Sequence, residues 1–214
     1  RSDDPLCGAD LASLPKARLR QLLLDAGERP FRADQLFRWL HVRMARDWAA
    51  MTDLGKVLRR RLETSAPLPA LPIVHDARSA LDASRKLVLA TPHGAPIETV
   101  LMPMGGGRIT QCLSSQVGCR MGCDFCATGR LATRADLSAA EIVEQVVAGA
   151  RSLARGEVPG GPGRVSNVVF MGMGEPLANY KAVIGAVRRL TDPTPDGLGM
   201  SARGVTVSTV GPVP

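Results

Sequence analysis

Three cysteines stand close together in the chain, and their spacing is typical of a metal centre. Cys119, Cys123 and Cys126 occur in the string CRMGCDFCATG with the spacing C-x3-C-x2-C. Such short spacings in a loop let three thiolates converge on one centre, and the string supplies no fourth ligand. A [4Fe–4S] cluster bound by three cysteines keeps one iron open, and an open iron can chelate the amino and carboxylate groups of a substrate.

A structural zinc site is the main alternative for these cysteines. Structural zinc takes four ligands, usually as two C-x2-C pairs or with histidines. The only histidines are His41, His75 and His93, and none is adjacent to the cysteines. The chain has five cysteines, four of them from Cys112 to Cys126, which suits metal or redox chemistry better than a secreted disulfide framework. These observations favour the iron–sulfur cluster.

Two further strings place polar or flexible residues directly after predicted strands. The string NVVFMGMGEPLANY contains Gly172, Gly174 and Glu175. Glycine lets the backbone approach a ligand closely, and a carboxylate can pair with an ammonium group. The string GVTVSTVG contains Ser208. Its hydroxyl either bonds a ligand or, as in many buried strands, bonds the backbone.

A C-x3-C-x2-C motif after a first strand, followed one βα unit later by GMGEP, resembles the radical SAM superfamily. The resemblance implies that an electron from the reduced cluster splits S-adenosyl-L-methionine into methionine and a 5′-deoxyadenosyl radical. It also implies that Gly174 and Glu175 bind the methionine amino end of the cofactor. Ser208 would contact the cofactor as well.

The wider string QCLSSQVGCRMGCDFCATG resembles, more specifically, the RlmN-type dual-specificity RNA methyltransferases. The strings RQLLLDAGERPFRADQLFRWLH and IETVLMP resemble the same family, so the likeness covers nearly the whole chain. It implies methylation of C2 of adenosine in 23S rRNA and tRNA, with an electron donor such as flavodoxin or ferredoxin. Relatives that methylate C8 of the same base remain an alternative that these motifs do not separate.

Two more residues match functional positions of that family. Cys112 matches a redox cysteine whose thiolate helps to break an RNA–protein adduct by forming a disulfide. Glu98, in IETVLMP, matches an acidic residue assigned as a proton acceptor. Without the resemblance, Cys112 would be interpreted as a small buried apolar residue and Glu98 as a strand residue on a solvated face.

The family also uses a methyl-carrying cysteine in its C-terminal part, and this sequence has no cysteine after Cys126. The chain begins with Arg1 instead of methionine and stops at GVTVSTVGPVP. We therefore expect an N-terminal fragment that binds the cluster but does not complete methyl transfer alone.

The elements that position these residues follow from periodicity and breakers. Residues 1–65 are predicted to form a basic helical domain, with a first helix capped by Ser13, a second after Pro30 and a third around 54–62. Residues 66–107 are predicted to be a proline-rich linker, 66–72, followed by a small antiparallel element.

Residues 108–214 alternate between strand and helix patterns. The predicted elements are strands at 109–114, 165–171 and 204–209 and helices at 137–153 and 180–190. This indicates an α/β fold, and the resemblance implies the first half of a radical SAM partial (β/α)6 barrel with about three βα units. Ligands of such folds lie at the carboxyl ends of the strands, where all three motifs fall.

The net charge of +7 is concentrated near the N-terminus, where residues 16–61 contain twelve Lys and Arg against five Asp and Glu. Such a patch attracts a phosphate backbone, although a solvated helical surface has the same composition. No apolar run approaches the ~20 residues of a membrane span, so we expect a cytoplasmic protein. A zinc-stabilised, non-catalytic RNA-binding module and a radical SAM enzyme with a non-RNA substrate are the remaining alternatives.

Overall fold

The computed structural model describes residues 4–43, 45, 47–66, 68, 71–159, 165–194 and 197–211. The chain forms two compact units. The first comprises Arg1–Ala70 with Gly185–Gly199, and the second comprises Leu71–Ile184 with Met200–Pro214. Among the described residues, no helix is long and apolar enough to span a membrane.

The first unit is helical, with α1 at Lys16–Asp25, α2 at Phe31–His41 and α3 at Lys56–Ser65. Each helix buries apolar residues at helical spacing: Leu19, Leu23, Ala33, Leu36, Phe37, Leu40, Leu58 and Leu62. The predicted cap of the first helix is wrong. Pro15 occupies the cap position, and the Ser13 hydroxyl instead donates to Asp10 at 2.5 Å.

The second unit is built on a six-stranded sheet. Its strands are β1 (Ile73–Arg78), β2 (Arg85–Leu89), β3 (Ile97–Met104), β4 (Arg108–Cys112), β7 (Asn167–Phe170) and β8 (Val205–Val207), in the spatial order β1-β2-β3-β4-β7-β8. β1 to β4 pair antiparallel, and β4, β7 and β8 pair parallel. A separate two-stranded ladder joins β5 (Gln116–Val117) to β6 (Ala135–Asp136).

The α/β class predicted from the sequence is confirmed, but residues 66–107 do not form a separate element. β3 pairs with β4 in continuous register from Val100↔Cys112 to Met104↔Arg108, so the antiparallel strands extend the same sheet that carries the βα units. The reason is the tight connection at Gly105–Gly107, which turns the chain back on itself. Of the predicted linker, residues 67, 69 and 70 lie outside the described residues.

The two faces of this sheet differ in burial. In β3, Ile97, Thr99 and Leu101 are buried, whereas the residues between them are partly exposed. The buried face packs on α4 (Ala139–Ala154). In this contact, Gln111 of β4 donates through Nε2 to the carbonyl of Gln145 at 2.7 Å. A capping box between Ser138 and Glu141 begins α4. The fifth helix, α5, spans Tyr180–Thr191.

Candidate cofactor site

The three clustered cysteines lie in the loop 118–134, which β5 and β6 close at its base. Register pairs Gln116 with Asp136 and Val117 with Ala135. Gly118 follows the ladder with φ at +84°, and a Cβ there would lie 2.9 Å from the backbone carbon of Ala132. Only glycine fits this close approach, so the loop can close here because residue 118 is a glycine.

Cys119, Cys123 and Cys126 are free thiols, each partly exposed. Hydrogen bonds from the amides of Gly129 and Thr128 lower the pKa of the Cys126 thiol, which favours the thiolate that binds metals. Within the described part of the chain, no three His, Cys, Asp or Glu side chains are gathered closely enough to form a metal site.

The donor set itself fits an iron–sulfur cluster. Three free thiols on one closed loop match a cluster with three cysteine ligands, and the lowered pKa of Cys126 favours its thiolate. The assignment of these residues as cluster ligands stays a prediction.

The segment Gly172–Glu175 follows β7, the parallel neighbour of β4, and therefore lies beside the start of the cysteine loop. The amides of Ser115 and Gln116 both donate to the carbonyl of Met173, at 2.7 and 3.1 Å. These backbone bonds join the segment Gly172–Glu175 to the residues that lead into the cysteine loop. The parallel pairing of Cys112 with Val169 places both motifs at the carboxyl end of the sheet.

Glu175 is buried, with 3% of its surface exposed, and its carboxylate accepts three hydrogen bonds. The donors are the Thr209 hydroxyl at 2.6 Å, the Val210 amide at 3.0 Å and the Leu177 amide at 2.9 Å. Burial opposes ionisation, but the hydrogen bonds together outweigh it, so the pKa of Glu175 lies below its usual value. A carboxylate has about four acceptor sites, so these three hydrogen bonds do not saturate it.

The residue after β8 that contacts this carboxylate is Thr209, and sequence reasoning missed it. The predicted residue, Ser208, is exposed, as is Thr209. Strand alternation alone points neighbouring residues to opposite faces, so the string VSTV offers two hydroxyls and does not tell which one meets Glu175. The cofactor contact assigned to Ser208 stays a prediction.

Asn179 is a second residue that sequence reasoning missed. Its amide is buried and donates to the carbonyls of Ser115 and Leu137, at 2.8 and 2.7 Å. It therefore fixes both ends of the segment that contains the cysteine loop. Asn179 is the second-last residue of the string NVVFMGMGEPLANY. Nothing in that string distinguishes it from an ordinary residue at the start of a helix.

Cys112 and Glu98 lie on the partly exposed face of the sheet. Val100 pairs with Cys112, and Glu98 lies two positions before Val100 on the same strand, so all three point to that face. The Glu98 carboxylate accepts from the Lys86 ammonium at 2.9 Å, in a pair that is nearly half exposed. Burial raises the pKa of the Cys112 thiol. The structure thus places both residues on one surface, and their catalytic roles stay predictions.

The fold matches a solved structure from one class of enzyme. A crystal structure of a radical SAM methyltransferase from Sphaerobacter thermophilus superimposes with a TM-score of 0.83 at 41% sequence identity, covering 94% of this chain and 57% of that one. The chain therefore has the fold of part of a radical SAM methyltransferase.

Comparison with curated proteins finds relatives of one type. Residues 9–68 match the ribosomal RNA large subunit methyltransferase N-terminal domain. Proteins named probable dual-specificity RNA methyltransferase RlmN are 60% identical in a Nocardioides species, over 86% of this chain and 49% of the relative, and 52% identical in Thermobifida fusca, over 95% and 56%. The chain resembles an N-terminal part of RlmN-type proteins, and it spans about half the length of the curated relatives it matches.

Proposed function

We propose that this chain supplies the cluster-binding and RNA-contacting part of an RlmN-type enzyme, which methylates C2 of adenosine in 23S rRNA and tRNA. One observation carries the proposal: the residues that lead into the cysteine loop and the segment Gly172–Glu175, which are distant in sequence, are joined by two hydrogen bonds, from the amides of Ser115 and Gln116 to the carbonyl of Met173. This supports a role for both segments in one cofactor site, with the cysteines as cluster ligands and Glu175 as the partner of an ammonium group.

In this proposal, Cys119, Cys123 and Cys126 bind a [4Fe–4S] cluster, and Gly174, Glu175 and Ser208 bind S-adenosyl-L-methionine. When bound, the cluster and the cofactor supply a 5′-deoxyadenosyl radical, with the electron coming from a donor such as flavodoxin or ferredoxin. Glu175 is ionised at neutral pH, and a carboxylate suits the cofactor ammonium.

Radical chemistry suits adenine C2, which lies between two ring nitrogens and is too electron-poor to attack a sulfonium methyl group. In the proposed route, the methyl group first resides on a cysteine that this sequence does not contain, and it is then joined to C2. Glu98 accepts a proton, and the Cys112 thiolate releases the RNA by forming a disulfide with the methyl-carrying cysteine. The raised pKa of Cys112 keeps the thiol protonated at neutral pH, so a proton must leave it before release.

The helical unit offers a surface for RNA phosphates. A pocket on this unit is lined by Lys56, Arg59 and Arg60, together with Trp48, Ala49 and Glu63. Lys56 and Arg60 are exposed, and α3 places them one turn apart on one side of the helix. Three cations near one another attract a phosphate backbone through counterion release.

The proposal is tested first on the cofactor. Anaerobic reconstitution should load about four irons per chain and give a brown chromophore, as three-cysteine clusters do. Substitution of Cys119, Cys123 or Cys126 by alanine should abolish both, whereas substitution of the exposed Cys7 should abolish neither. A chain that binds one zinc and no iron would instead be a zinc-stabilised RNA-binding module.

The regiochemistry is tested on RNA from the source organism. Deletion of the gene should remove 2-methyladenosine from 23S rRNA and tRNA, as measured by nucleoside mass spectrometry. Loss of 8-methyladenosine would assign the C8 reaction. If neither nucleoside changes, RNA methylation is not the function.

A further inference from the structure

Gln116 is a fully buried side chain that contacts Asp136, at the base of the cysteine loop, and the amide of Glu175. It is the first residue of β5, its surface is 0% exposed, and neither the cluster nor the cofactor motif includes it. A primary amide presents a donor and an acceptor on opposite sides of one group. Gln116 uses both.

The donor side faces the cysteine loop. The Gln116 Nε2 donates to Asp136 Oδ1 at 2.6 Å, across the ladder that closes the loop. The other oxygen of Asp136 accepts from Arg120 Nη2 at 3.3 Å. Arg120 directly follows Cys119, so the contact from Gln116 extends into the loop itself.

The acceptor side faces the Gly174–Glu175 segment. The amide of Glu175 donates to Gln116 Oε1 at 2.9 Å. Gly174 adopts a φ of +97°, and a Cβ there would lie 2.6 Å from the Cβ of Gln116. The segment is therefore packed against Gln116 with no room for another side chain.

We infer that Gln116 is a positioning residue that fixes the cysteine loop against the Gly174–Glu175 segment, and so sets the cluster and the cofactor at one distance. The inference rests on the proposed function. The chemistry requires glutamine at this position. A glutamate would still accept from the backbone amide of Glu175, but it would place a second carboxylate against that of Asp136.

Three variants separate this role from general stability. Gln116→Glu breaks the contact with the loop and leaves the acceptor. Asp136→Asn removes the negative charge from the residue that accepts the hydrogen bond of Gln116. The double variant Gln116→Glu/Asp136→Asn restores the hydrogen bond with donor and acceptor exchanged, at the net charge of the original chain. Gln111→Glu is the matched control, since Gln111 is equally buried but contacts Thr99 and Gln145 instead.

The first measurement needs no cluster. In the metal-free chain, amide hydrogen exchange in the loop 118–134 should be faster in Gln116→Glu by about tenfold, the factor that one hydrogen bond to a charged group is worth. The double variant should return it to within about threefold of the original rate. Gln111→Glu should lower the melting temperature without a selective change in the loop.

The second measurement uses the reconstituted chain. At equal iron content, the affinity for S-adenosyl-L-methionine should fall about tenfold in Gln116→Glu and recover in the double variant. If Gln116→Glu loads iron and binds the cofactor as the original chain does, the positioning role is wrong and the proposed function stands. A lack of recovery in the double variant also refutes positioning. If the original chain binds no cluster, the proposed function itself fails, and the exchange measurement still decides how Gln116 acts on the loop.

Discussion

His41 makes the stability of the helical unit depend on pH. It is the last residue of α2, and only 2% of its surface is exposed. Its ring contacts Phe37, with the centroids 4.3 Å apart, and its Nε2 has no hydrogen-bond partner among the described residues. Burial, assisted by the charge of Arg189 in the same unit, lowers the pKa of His41 from 6.5 to about 3.

The sign and the size of the effect follow from linkage. Since the pKa in the folded chain is depressed, the stabilisation is complete above about pH 6.5 and is lost as the pH falls. Between pH 7 and pH 5 the unfolded histidine takes up most of a proton and the folded one does not. The free energy of unfolding should therefore fall by about 2 kcal/mol from this residue alone.

Urea unfolding at pH 7 and pH 5 measures this loss. The only two tryptophans, Trp39 and Trp48, both lie in the helical unit, so their fluorescence follows its unfolding. His41→Leu should remove about 2 kcal/mol of the difference between the two pH values, whatever its effect at pH 7. His75→Gln is the control, because His75 is exposed. If His41→Leu loses as much stability between pH 7 and pH 5 as the original chain, His41 is not buried in its neutral form.

Two further measurements test the site. Gly174→Ala should lower the free energy of unfolding by about 1–3 kcal/mol more than Gly94→Ala. Both glycines have positive φ, but only at Gly174 would the new Cβ meet another residue; equal losses would show that Gln116 does not pack there. In the metal-free chain near neutral pH, Cys126 should be alkylated by iodoacetamide faster than Cys112, because their pKa values shift in opposite directions. Mass spectrometry of the peptides gives the two rates, and the reverse order would contradict both shifts.

Periodicity and breakers were enough to predict the longer elements, but not the short ones. α2, α4 and α5 each carry one strong apolar face, and their predicted positions agree with the structure within a few residues. β5 and β6 have two residues each, so they have no periodicity to detect. They form because Gly118 lets the chain close at that point, a tertiary approach that no local pattern reports.

The residues of the site divide in the same way. The cysteines and Glu175 could be proposed from the sequence because their types and spacings carry chemistry. Gln116 and Asn179 were missed because an amide in a polar string looks like any loop residue until its two partners are known. Ser13 was predicted as a cap from its residue type, but α1 begins only at Lys16, so Ser13 lies outside the first turn, where its hydroxyl donates to Asp10.

The ladder between β5 and β6 also has a kinetic consequence. Because it closes the loop at its base, part of the entropy of bringing the thiols together is lost during folding and not during metal capture. Once one thiolate has bound iron, the other two react within the same loop, at an effective concentration that does not depend on how much protein is present. Cluster assembly should thus be first order in the chain, and a chelator must compete with a tethered trio of thiolates and not with three independent ones.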